Sequence, residues 1–240
     1  MSLKAVLFDF NGVIINDERI HAKLIEELLI AENLRPKRDE FRQMCLGRSD
    51  RACIRDLLTS RGRVVSESYL KQLIERKAKS YQQYLETTEP LPIYPGLAEF
   101  IAKLRDMQLV LGIVSGALRR EIEIVLNRIN LAEHFAVIVA GDDLTNSKPQ
   151  PDGYLLAVER LNLVYPELQL KAQECLAIED TFVGIEAAKK AGMQVVGVSN
   201  SYPMHMLQRH ANWVVDYLLD LEWERVQQVY QRAVSQPNPE

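Results

Sequence analysis

Read along the chain, the first pattern is an apolar run, VLFDFNGVIIND from Val6 to Asp17, that stops at an acidic residue and turns at Asn-Gly. A short continuous apolar run closed by a turn signal predicts a buried strand of a parallel sheet. From 18 to 89 the period changes. Ile20, Leu24 and Leu28 share one helical face, with Glu26 and Glu27 opposite. Further helices are predicted near 38–45, 50–61 and 67–86, and nothing in this stretch alternates as a strand does. An all-helical insert of about 70 residues is expected, large enough to form a small domain.

TTEPLPIYPG, Thr87 to Gly96, reads as a linker, and strands and helices alternate beyond it. Leu97, Phe100, Ile101 and Leu104 make a helix face; Leu109 to Val114 is a strand ending at Ser115-Gly116. Leu118, Ile122, Val125 and Ile129 make the next helix face, and Phe135 to Ala140 is a strand leading into Gly141-Asp142-Asp143. A helix near 151–163 follows Pro149 and Pro151. Cys175 to Ile178 is a strand ending at Glu179-Asp180. A small-residue helix over 181–191, a strand over Gln194 to Val198 and a short strand over Trp213 to Val215 follow. The SQPNPE tail is read as disordered. This alternation predicts an α/β fold: a doubly wound parallel sheet covered by helices on both faces. The expected division is a core of 1–16 plus 90–240 and a helical domain of 17–89.

Composition changes this picture little. Of the 240 residues, 47% are hydrophobic and 26% charged, as in ordinary soluble domains, and the net charge of −4 offers no footprint for nucleic acid or anionic membrane. No stretch reaches the roughly 18 apolar residues that span a bilayer. No secretory signal pattern opens the chain, so a cytoplasmic protein is expected. Cys45, Cys53 and Cys175 are odd in number and widely spaced, with neither zinc spacing nor a disulfide framework. They read as small buried apolar side chains in a reducing compartment. Oligomeric state is not legible.

Four predicted strand ends carry polar groups: Asp9, Ser115, Lys148 a few residues beyond the third, and Glu179-Asp180. In open α/β sheets ligands bind outside the carboxyl ends of the strands. Singly, each has an ordinary reading: Ser115, Asp180 or Thr181 as helix caps, Lys148 as a solvated lysine. Together, carboxylates converging with a lysine and a hydroxyl suit a Mg²⁺-dependent phosphoryl site. Mg²⁺ takes a few carboxylate oxygens, waters and substrate phosphate. The hydroxyl, the lysine and helix N-terminal amides hold phosphate oxygens. In such a site Asp9 attacks phosphorus and forms an aspartyl phosphate.

The ordered motifs FDFNGVIIND, IVSG, SKPQPDGY and IEDTFVGIEAAKKAGM resemble those of the haloacid dehalogenase superfamily. The resemblance is to its subgroup of β-phosphoglucomutase and phosphoglycolate phosphatase, and it covers nearly the whole chain. It implies a helical cap between the first and second motifs. It makes Asp9 the nucleophile and a Mg²⁺ ligand, joined by Asp180, Glu179 and the backbone carbonyl of Asn11. Ser115, the Gly116 amide and Lys148 would bind the transferring phosphoryl group. In the cap, His21, Arg48 of the GRSD stretch and Lys77 of ERKAK lie where this subgroup places substrate contacts; their alternative reading is exposed helix. The function implied is hydrolysis of a small phosphorylated metabolite, of the sugar phosphate or phosphoglycolate class.

The chain departs from that pattern at Asn11, where the family carries the aspartate that protonates the leaving oxygen and activates water. An amide carries no proton in either direction, and general acid–base catalysis is worth about 10²–10⁴-fold. Several readings stay open. Asn11 is a substitution that traps the site, or another group such as His21 or a cap carboxylate supplies the proton. Otherwise the protein is a slow phosphatase, a phosphomutase similar to β-phosphoglucomutase, or a catalytically impaired phosphate-ligand binding or regulatory protein. Dehalogenase branches lack this aspartate too, but need no metal. A Schiff-base role for Lys77, as in phosphonatase-like members, also stays open.

Overall fold

The computed structural model describes residues 2–235, so the expectation for the tail lies, past Ser235, outside them. Six strands form one parallel sheet in the order β3-β2-β1-β4-β5-β6. They are β1 Ala5–Phe8, β2 Val110–Val114, β3 Val137–Val139, β4 Cys175–Glu179, β5 Gln194–Val198 and β6 Trp213–Val215. Every residue of β1 is buried. Val6 and Phe8 point into one apolar layer with Phe100, Ile122 and Val226; Ala5 and Leu7 point into the other with Tyr154, Ile185 and Leu207. That two-sided burial is why the strand reads as an unbroken apolar run. The expected strand over 135–140 contracts to Val137–Val139 because a 3₁₀ turn over Ala132–His134 precedes it and another over Gly141–Asp143 follows.

Helices α5 Leu97–Asp106, α6 Arg119–Arg128, α7 Asp152–Val164, α8 Phe182–Lys190, α9 Met204–Leu207 and α10 Trp223–Ser235 belong to this α/β unit. The strand order reverses between β1 and β4, so a crevice opens at their carboxyl ends, where such sheets bind ligands.

Between β1 and α5 the chain forms α1 Glu18–Ala31, α2 Glu40–Met44, α3 Asp50–Thr59 and α4 Glu67–Thr87. Ser49 and Ser66 cap α3 and α4, accepting from the amides of Ala52 and Tyr69. These helices share an apolar cluster of their own, including Ile25, Leu29, Ile54, Leu57, Leu70 and Leu73. They close over the sheet edge: the Ser49 amide donates to Ser147 Oγ at 2.8 Å, and Arg42 donates to the Ser201 carbonyl at 2.8 Å.

The cysteine reading needs correction. All three are buried as expected, but Cys45 and Cys53 form a disulfide, with Cα atoms 4.7 Å apart. A tight turn after α2 folds the chain back so that α3 passes beside Cys45. Eight residues of separation carry no sign of this in the sequence. Cysteine usage therefore no longer argues for a reducing compartment; Cys175 alone is free.

Candidate active site

Three parallel strands in register bring the chemistry to one edge. Phe8 pairs with Ile113 of β2 and with Ile178 of β4. Asp9, Ser115 and the Glu179-Asp180 pair therefore leave the sheet together. The Asp9 amide donates to the Ile178 carbonyl at 2.9 Å, and the Ser115 amide donates to the Val139 carbonyl at 2.9 Å. Asn11-Gly12 then turns sharply. Gly12 has φ +80°, and a Cβ there would lie 1.9 Å from Asp180 Oδ2, so both conformation and space demand glycine.

Asp9, Glu179 and Asp180 are buried, and each offers an oxygen within 4.8 Å of the others. Lys148 Nζ bridges two of them, 2.9 Å from Asp9 Oδ1 and 2.6 Å from Glu179 Oε1. Tyr154 donates to the same Glu179 oxygen at 2.6 Å. Asp180 Oδ2 accepts from Ser201, whereas Asp180 Oδ1 is buried without a partner among the described residues. Burial and the Glu179 charge push the Asp9 carboxyl up to about 7, against the pull of Lys148. Burial, Asp9 and Glu179 together raise Asp180 well above its ordinary range. Burial alone would lower Lys148, but Asp9 and Glu179 reverse that and hold it protonated. Carboxylates crowded this closely, with one oxygen left orphaned, lack positive charge. A hard divalent cation with oxygen ligands fits that deficit.

Lys148 is the only cation ion-paired to this cluster among the described residues. Lys148→Met should therefore destabilise the metal-free protein by about 3–5 kcal/mol, because it strands buried carboxylates. Urea denaturation checks this, and a loss below about 1 kcal/mol would mean the cluster holds protons instead.

Ser115 does not cap α6; its Oγ accepts from the Ala117 amide at 3.1 Å, and it lines the cavity beside Asp9. Thr181, rather than Asp180, caps α8 by accepting from Gly184 at 3.2 Å. Lys148 is 8% exposed, so the solvated-lysine reading fails. His21, Arg48, Lys77 and Gly116 all line the same cavity as Asp9 and Asn11. Lys77 is 3% exposed and His21 9%, so neither is an ordinary exposed helix residue. Arg48 is held away from free anion binding: it donates to the Met44 carbonyl at 2.8 Å and to Asp56 at 2.6 Å.

Residue 11 faces a network of which the sequence reading singled out only His21 and Lys77. Asn11 Nδ2 donates to Asp17 Oδ2 at 2.8 Å, and Tyr81 donates to the same oxygen. Lys77, ion-paired with Asp50 Oδ1 at 2.7 Å, donates to His21 Nδ1 at 2.8 Å. A lysine ammonium only donates, which puts the imidazole proton on Nε2, 3.3 Å from Asp17 Oδ2 and 3.2 Å from the Asn11 amide nitrogen. Asp50 and Tyr154 lie inside the GRSD and SKPQPDGY motifs, and Asp17 closes the first. Tyr81, Glu121 and Ser201 carry no local signal; only tertiary packing brings them in.

A family model described as haloacid dehalogenase-like hydrolase matches residues 6–198. The chain is 28% identical over 229 residues to β-phosphoglucomutase of Bacillus subtilis, covering 93% of this chain and 96% of that one. It is 29% identical over 202 residues to the phosphorylated carbohydrates phosphatase of Thermotoga maritima, covering 83% and 87%. The fold matches a β-phosphoglucomutase structure from Clostridium difficile with a TM-score of 0.83 at 24% identity, covering 98% of this chain and 100% of that one. With motifs, sheet order and acidic cluster in agreement, the chain belongs to the haloacid dehalogenase-like hydrolases.

Proposed function

We propose that the chain is a phosphatase acting on a small phosphorylated metabolite, with Asp9 as nucleophile. The observation that carries this is Asp9 at the sheet edge, bridged by Lys148 to Glu179 beside the orphaned Asp180 oxygen. Mg²⁺ would be held by Asp9, Asp180, the Asn11 carbonyl and Glu179, and when bound would neutralise charge on the phosphoryl oxygens. Lys148, Ser115 Oγ and the Gly116 amide orient the phosphoryl group against Asp9, which displaces the alcohol and becomes an aspartyl phosphate. Water then releases phosphate. The 17–89 helices act as a cap over this edge, excluding bulk water while His21 and Lys77 face the leaving group.

Asn11 carries no proton. His21, with its Nε2–H toward Asp17 Oδ2 beside Asn11, lines the cavity and is the group placed to serve the leaving oxygen. A mutase, the second reading, is favoured by the same residue, because slow hydrolysis of an aspartyl phosphate lengthens its life. The deciding experiment is phosphate release from a panel of sugar phosphates, phosphoglycolate and glucose 1-phosphate with MgCl₂, with product isomers analysed in parallel. Release without isomerisation supports the phosphatase. Isomerisation of glucose 1-phosphate supports the mutase, and neither reaction leaves a ligand-binding protein.

The raised carboxyls set a further expectation. Below about pH 4 these groups are protonated folded and unfolded, and their contribution to stability is full. As pH rises to about 7 the unfolded chain releases those protons while Asp9 retains its own, so this contribution is lost. A cation competing for the same oxygens should raise the melting temperature more at pH 8 than at pH 5. Thermal denaturation with and without MgCl₂ reads this directly; an equal shift at both pH values would place cation binding elsewhere.

A further inference from the structure

Glu121 stands in the cavity without a role in the scheme above. It sits in the first turn of α6, and its Oε2 accepts from the Leu118 amide at 3.0 Å. Its Oε1 has no partner among the described residues, although the side chain is only 1% exposed and lines the cavity with Asp9, Ser115, His21 and Lys77. A buried carboxyl oxygen left unpaired is costly, and a ligand that supplies a donor removes the cost.

The cations that line the cap side of the cavity already have partners among the described residues. Lys77 of α4 is taken by Asp50 of α3 and His21 of α1, and Arg48 by Asp56 and the Met44 carbonyl. Glu18 and Asp50 add two further carboxylates to the cavity wall. Among the described residues, this end of the cavity therefore presents carboxylates whose neighbouring cations are all paired, which opposes a second phosphate.

We propose that Glu121 sets the substrate class, its free oxygen pairing with a hydroxyl on the neutral, hydroxyl-bearing remainder of a monophosphate ester and disfavouring a bisphosphate. The inference rests on the phosphatase reading and names the substrate it selects. Burial pushes the Glu121 carboxyl up to about 7, with Lys77 and His21 opposing and Asp50 reinforcing. Near neutral pH it both accepts and donates, as a hydroxyl also does.

The test is calorimetric binding to the full chain carrying Asp9→Asn, with MgCl₂ present, so that turnover does not enter. The probes are fructose 6-phosphate, fructose 1,6-bisphosphate and phenyl phosphate. Fructose 6-phosphate is expected to bind more tightly than either of the others. Adding Glu121→Met should cut its preference over phenyl phosphate by about tenfold or more. Glu121→Gln keeps a hydrogen-bonding end without the charge. It should hold that preference within about threefold while narrowing the gap to the bisphosphate by about tenfold.

Tighter binding of the bisphosphate by the parent overturns the proposal. So does a parallel loss for fructose 6-phosphate and phenyl phosphate in Glu121→Met, which marks a structural role, or absence of binding by all three probes. If Glu121→Met does not fold, the bisphosphate gap in Glu121→Gln decides. Phosphate release by the protein retaining Asp9, measured separately, judges the reaction itself.

Discussion

Asp9→Asn is expected to lower phosphate release by at least about 10⁴-fold while leaving the fold intact or firmer. The two halves of that result follow from different physics. An amide does not attack phosphorus, so the covalent route closes, and removal of a nucleophile that works as part of a unit costs about as much as removal of the unit. The stability half comes from crowding. Asp9 is 3% exposed beside Glu179 and Asp180, which is why its carboxyl sits near 7 rather than near 4. Replacing it removes one of three competing charges, while Lys148 keeps its contact with Glu179 at 2.6 Å. The melting temperature of the metal-free variant at pH 8 should therefore equal or exceed that of the parent. Phosphate release and thermal denaturation on one preparation check both. Lost activity with a lowered melting temperature would assign Asp9 a structural role, and retained activity would remove it from the chemistry.

How much of this was legible in the sequence depends on the range over which each interaction acts. The strands around Asp9, Ser115 and Glu179 were readable because burial on both faces makes them continuous apolar runs, and a polar residue ending such a run has one edge to occupy. The sharp turn at Asn11-Gly12 was readable for a local reason, the positive φ that glycine supplies. Tyr81 on Asp17, Ser201 on Asp180 and Tyr154 on Glu179 join residues 64, 21 and 25 positions apart, and no period or spacing marks them. Glu121 was hidden differently: a single carboxylate beside the apolar face of α6 looks like a solvated position, yet it is buried where α4 packs against α6. The Cys45–Cys53 bond belongs with these, since it depends on how α2 and α3 turn past each other.

Asn11→Asp is the second large effect expected: a gain of about 10²–10⁴-fold in phosphate release, the range a positioned acid–base group contributes. The neighbours of residue 11 explain why the gain should appear and what opposes it. The Asn11 amide now donates to Asp17 Oδ2 at 2.8 Å, and an aspartate there would set two carboxylates face to face. Such a pair shares a proton, because both members do not ionise readily at that distance. A proton held between residues 11 and 17 near neutral pH is available to a leaving oxygen in the cavity that residue 11 lines. The same repulsion should lower the melting temperature, so activity and stability are expected to move in opposite directions. Adding Asp17→Asn to Asn11→Asp separates the terms: it relieves the repulsion and restores stability, but removes the shared proton and part of the rate gain. Steady-state phosphate release and thermal denaturation of the parent, both single variants and the double variant close that cycle. If Asn11→Asp leaves the rate unchanged while Asp9 remains essential, the proton travels by way of His21, whose Nε2 lies 3.3 Å from Asp17 Oδ2 beside residue 11.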